Sequence, residues 1–73
     1  MNKINTQIGE WLHKQRIEKG LSQQQVADML NVSRIAVSYW ENGKRTIYAD
    51  NLIEYCKVLN ADPTELIGKL LTD

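Results

Sequence analysis

In this chain, apolar side chains recur three and four positions apart, nowhere alternate with period two, and are interrupted at Gly20, Asn31, Gly43 and the Asp62-Pro63 pair by residues that end or begin helices. Apolar groups at those spacings line one face of a helix, whereas a half-buried strand needs strict alternation. The pattern predicts an all-α fold, a compact bundle of five short helices, with residues 1–73 forming one domain. A domain this small buries only about 60% of the surface its unfolded chain exposes, so its stability will be modest. With 42% hydrophobic and 25% charged residues it still lies well inside the globular range, and it should fold.

The first helix runs from Ile4 to Glu18, with Ile4, Ile8, Trp11 and Leu12 on its apolar face. Gly20 supplies a left-handed C-terminal cap, and Leu21 packs back on the helix. Ser22 opens the second helix with Gln25 placed as in a capping box, and Val26, Ala27, Met29 and Leu30 are its apolar residues. Asn31 tolerates positive φ, Ser33 is the next N-cap, and a third helix runs from Arg34 to about Asn42, closed by Gly43. The fourth spans Asp50 to Leu59 with Leu52, Ile53, Cys56 and Leu59 inward. In the fifth, Asp62 is the N-cap, Pro63 takes the first helical position, and Leu66, Ile67, Leu70 and Leu71 are apolar.

The formal net charge is zero, which argues against a sequence-indifferent basic coat for nucleic acid. The distribution is more informative. Residues 31–48 hold Arg34, Lys44 and Arg45 against Glu41, whereas residues 49–73 hold Lys57 and Lys69 against Asp50, Glu54, Asp62, Glu65 and Asp73. A molecule so polarised presents its basic end to a polyanion. The lone cysteine, Cys56, can form no intrachain disulfide and has no metal-ligand spacing to any partner, which suits a reducing cytoplasm. Cys56 reads as a small core hydrophobe, and His13 has no acidic or nucleophilic partner at a recognisable spacing, so no enzyme, metal site or cofactor is expected. No stretch approaches the roughly 20 apolar residues a membrane span requires.

At about 100° per residue, the third helix turns Ala36, Val37 and Trp40 to the core and Arg34, Ile35, Ser38, Tyr39 and Asn42 outward. That outward arc suits the major groove of DNA. Arg pairs bidentately with guanine, Ser pairs with several base edges, and an aliphatic group contacts a thymine methyl. Ile35 has no purpose on a merely solvated face, and Arg34, Ile35, Ser38 and Tyr39 are therefore the expected base-contacting residues. The small Ala27, facing Val37, lets the second and third helices cross closely.

Ser22-Gln23-Gln24-Gln25-Val26-Ala27, then Leu30-Asn31-Val32-Ser33-Arg34, then Tyr39-Trp40-Glu41-Asn42-Gly43-Lys44-Arg45 resembles the Cro and lambda-repressor family of helix-turn-helix proteins, over roughly Ile8 to Ile67. The resemblance implies a five-helix DNA-binding domain. It also implies that Gln23 contacts a phosphate and braces the recognition helix, and that Asn42, Gly43 and Lys44 clamp a phosphate through side chains and free backbone N–H groups. Ser33 and Arg45 are further phosphate contacts on the same reading, and Arg16 and Glu41 form a salt bridge between the first and third helices. Two positions depart from the family pattern. Asn31 stands where glycine is common, at little cost. Ile47 and Tyr48 stand where Pro and a small polar N-cap are common, and Tyr48 is placed either on a phosphate or over the core.

The function this predicts is a sequence-specific, double-stranded-DNA-binding transcriptional regulator, a repressor or controller of phage, plasmid or restriction-modification type. One recognition helix reads too few base pairs for useful specificity, so a homodimer is expected, paired around the fifth helix. With the chain stopping at Asp73, no separate ligand-sensing domain is expected. The alternative is a protein-interaction module, an antitoxin or adaptor, built on the same bundle. Trp11 belongs either to such a partner surface or to the core.

Overall fold

The computed structural model describes residues 3–72; Met1, Asn2 and Asp73, the last counted above in the acidic end, lie outside the described residues. Five helices follow one another: α1 (Lys3–Glu18), α2 (Gln23–Leu30), α3 (Arg34–Glu41), α4 (Ala49–Leu59) and α5 (Pro63–Thr72), and no strand occurs among the described residues. Nor is any of these helices long and apolar enough to cross a membrane.

One device ends each of the first four helices. At Gly20, Asn31, Gly43 and Asn60 the backbone turns left-handed, with φ of 70°, 56°, 72° and 52°. The next residue's N–H then reaches back to a carbonyl in the last turn: Leu21 to Arg16 at 3.2 Å, Val32 to Ala27 at 3.0 Å, Lys44 to Tyr39 at 2.9 Å and Ala61 to Cys56 at 2.9 Å. Carbonyls that a helix end would leave unpaired are thereby satisfied, and the chain reverses sharply enough for the next helix to pack back. Starts are capped as locally. Ser22 and Gln25 make a reciprocal capping box, and Ser33 accepts from the Ala36 N–H. Asp62 accepts from the N–H and hydroxyl of Thr64.

The helices enclose one apolar cluster of Trp11, Leu12, Val26, Ala27, Val37, Trp40, Ile47, Tyr55, Cys56, Leu59 and Leu66. Trp11 is core, and its indole N–H donates to Glu65 at 3.1 Å, joining α1 to α5. Ile53, expected inward, lies outward, as do other residues of the helices' apolar sets. Ile4, Met29 and Ile53 are each about half exposed, as is Ile67, and Leu71 is 80% exposed. Tyr55, absent from the sequence assignment, is fully buried at the centre.

At Gly9, α1 comes very close to α3. A β-carbon on Gly9 would stand 2.5 Å from the carbonyl oxygens of both Trp40 and Glu41. Farther along the same seam, Gly43 lies against the backbone of Thr6, and Asn5 donates to the Thr46 hydroxyl at 2.9 Å. The start of α1 is thus held against the end of α3 and the loop that follows it.

Candidate nucleic-acid interface

α2, the turn at Asn31 to Ser33, and α3 form a helix-turn-helix whose crossing is filled by Ala27 and Val37, both fully buried. The opposite face of α3 is open. Arg34, Ile35 and Tyr39 are exposed, with Ile35 at 55%, and Ser38 is half-buried. The Ser38 hydroxyl accepts from the Asn42 amide at 3.3 Å. Beyond the helix, Lys44 and Arg45 are both exposed and both lie over the Tyr39 ring, at 6.0 Å and 5.0 Å from its centroid. Arg34 and Ile35 at one end of the helix and the two cations at the other therefore continue one surface.

The phosphate clamp expected from free N–H groups is not built that way. The N–H of Asn42 donates to Ser38 at 3.0 Å, that of Gly43 to Trp40 at 3.3 Å and that of Lys44 to Tyr39 at 2.9 Å. The helix cap uses all three. Gly43 is buried against α1, so its work is the turn, while the Asn42, Lys44 and Arg45 side chains remain on the surface. The Ser33 hydroxyl oxygen caps α3, in an exposed position that leaves its O–H able to donate outward.

Behind this face, Glu41 is the hub of a buried polar network. Its side chain is 1% exposed and accepts from Arg16 Nε at 2.8 Å and Nη2 at 2.9 Å, from the Tyr55 hydroxyl at 2.7 Å and from the Gln23 amide at 3.3 Å. His13, which the sequence left without an acidic partner, meets the same carboxylate at 2.9 Å, because the fold brings α1 against the last turn of α3. Burial by itself would raise the Glu41 pKa, but the hydrogen bonds from Arg16, His13, Tyr55 and Gln23 outweigh it and hold the carboxyl at about 2. The Glu41 hydrogen bond, against the opposing effect of burial, raises the Arg16 pKa further, and burial followed by the same carboxylate pushes the Tyr55 phenol far up. Arg16 also donates to the Leu21 carbonyl at 2.8 Å. Gln23 thereby ties the first turn of α2 to the last turn of α3.

The helix-turn-helix family pattern matches residues 12–66, three-quarters of the chain. The chain is a helix-turn-helix protein of the Cro and lambda-repressor family. The HTH-type transcriptional regulator DicA of Escherichia coli K12 is 33% identical over 67 residues, which are 92% of this chain and 50% of DicA. This chain thus spans about half the length of that curated relative. Among solved structures, the restriction-modification controller C.AhdI of Aeromonas hydrophila is 31% identical with a TM-score of 0.79, covering 85% of this chain and 94% of its own. The controller C.Esp1396I shares the fold at 22% identity, with a TM-score of 0.84 over 99% of this chain and 95% of its own.

For this helix-turn-helix protein, sequence reasoning missed Gly9, Tyr55 and the part played by His13. Gly9 carries no periodic signal, since glycine in mid-helix reads only as a mild weakness. Tyr55 sits in a helix that offered Leu52, Ile53, Cys56 and Leu59 as an apolar set. A buried tyrosine needs a partner for its hydroxyl, and nothing local names Glu41 as that partner.

Proposed function

We propose that this chain is a sequence-specific, double-stranded-DNA-binding transcriptional regulator, acting in the cytoplasm as a homodimeric repressor or controller of phage, plasmid or restriction-modification genes. The observation that carries the reading is the exposed first turn of α3, where Arg34 and Ile35 stand outward on the face that continues into Lys44 and Arg45. Arg34 reads guanine, Ile35 a thymine methyl and Ser38 a base edge, while Gln23, Ser33, Asn42, Lys44 and Arg45 hold phosphates. The likeness to DicA, by its name a transcriptional regulator, and to C.AhdI, a restriction-modification controller, supports the same class.

Selecting duplexes from a random library tests this, since reading and holding make different demands on one assay. Arg34→Ala is expected to cost about 1–3 kcal/mol on the selected site and to relax preference at one position of each half-site. Ile35→Ala loses preference at a thymine. Lys44→Ala should weaken all sequences alike and lower the salt slope by about one unit. An Arg34→Ala protein that keeps its base preference while Lys44→Ala changes it would put the reading face elsewhere.

Pairing through α5 is the proposed route to a two-fold site, because Ile67 and Leu71 are exposed beside the half-buried Leu70. Half-sites are then about 34 Å apart, one helical turn. Sedimentation at high concentration should show a dimer, with two chains per selected duplex. A monomer that also binds one per duplex removes the pairing.

A further inference from the structure

We infer that Tyr39 is a positioning residue, whose ring holds the two loop cations, Lys44 and Arg45, toward the DNA backbone rather than reading a base. The inference rests on the regulator reading above and assigns a part of the same site. Two independent contacts converge on this one residue. Its carbonyl accepts the Lys44 N–H at 2.9 Å, closing the turn that follows α3, and its ring lies under the Arg45 guanidinium at 5.0 Å and the Lys44 ammonium at 6.0 Å.

The turn explains why the cations land there. A helix cap of this kind brings the residue after the left-handed position back over the last helical turn, where an apolar contact commonly accompanies it. In this chain the returning residue is Lys44 and the surface it meets is an aromatic face. The electron-rich face of the ring attracts a cation, and it does so without neutralising it. Each long basic side chain would otherwise have many rotamers to lose when it engages a phosphate. A ring under both narrows that freedom before DNA arrives, as pre-organisation requires. Gly43 contributes by its left-handed φ of 72° and its seat against Thr6, which fix the turn in place.

The arrangement predicts a pattern of losses distinct from base readout. Tyr39→Ala should weaken binding to selected and unselected duplexes by the same factor, about three- to tenfold, with base preference unchanged. Tyr39→Phe keeps the ring and should bind like the parent. In a Lys44→Ala, Arg45→Ala background, Tyr39→Ala should have no further effect, since nothing remains for the ring to hold. In the free protein, Arg45 side-chain protons should show an upfield ring-current shift that Tyr39→Ala abolishes and Tyr39→Phe retains. A Tyr39→Phe protein with altered base preference, a missing ring-current shift, or losses that simply add in the triple variant would each overturn the inference while leaving the regulator reading standing. Failure of the parent chain to bind any duplex overturns both.

Discussion

Glu41→Ala should cost this protein about 3–5 kcal/mol, because it removes the counter-charge of a buried guanidinium and unties α1, α2 and α4 from α3 at once. Arg16 is 6% exposed, and both its contacts to Glu41 are under 3 Å. With the carboxylate gone, Arg16 is left with the Leu21 carbonyl and the His13 ring, and the Tyr55 hydroxyl loses its 2.7 Å acceptor. For a small domain such a cost is a large part of the whole stability. Thermal unfolding should show a midpoint lowered by at least ~12 °C. A variant that melts with the parent would mean that the network carries no stability in water.

The same carboxylate sets an acid limit. Glu41 has its pKa lowered from 4.5 to about 2 on folding, so the folded state binds the proton more weakly than the unfolded state does. Its contribution is therefore complete above the unfolded value, begins to fall as pH drops through about 4.5, and is gone once pH passes below about 2. A shift of that size corresponds to roughly 3 kcal/mol. Denaturant unfolding between pH 5 and pH 2 should show this decline in the parent, and Glu41→Gln, already destabilised, should show a shallower one. Parallel curves for the two proteins would assign the acid sensitivity to other carboxylates.

Gly9→Ala and Gly68→Ala are the same substitution in two helices, and opposite signs are expected. At Gly9 the added carbon meets two backbone carbonyls of α3 at 2.5 Å. Backbone cannot swing aside as a side-chain tip can, so α1 and α3 must separate, and the loss should outweigh the better helix propensity of alanine by about 1–3 kcal/mol net. Gly9→Val should exceed about 3 kcal/mol, adding more volume and a β-branch. Because the seam also seats the turn after α3, the duplex affinity of Gly9→Ala should fall even at temperatures where it stays folded. At Gly68 nothing lies within 4 Å of the added carbon, and stability should rise by about 0.5–1 kcal/mol. Chemical denaturation of the pair decides the matter, and a Gly9→Ala protein as stable as the parent would show that the two helices do not meet as described.

What the sequence alone determined is whatever depends on neighbours within a turn or two. The helix ends at Gly20, Asn31 and Gly43, the caps at Ser22, Ser33 and Asp62, and the outward turn of Arg34 and Ile35 all follow from local backbone preference and the angular spacing of a helix. Those features bound the fold to short helices joined by tight turns, and the family resemblance placed the motif on α2 and α3. Only the tertiary structure decided which edge residues are covered. Ile4, Met29 and Ile53 satisfy the apolar spacing yet stay about half exposed, while Tyr55 is fully buried and its hydroxyl donates to a carboxylate 14 positions away. The same holds for His13 and Gly9, whose partners lie on α3. The physical reason is one of range. Caps and periodicity are set by a few adjacent dihedrals, whereas a buried carboxylate shared by several helices or a carbonyl against a glycine exists only when segments distant in the chain are brought within a few ångströms of one another.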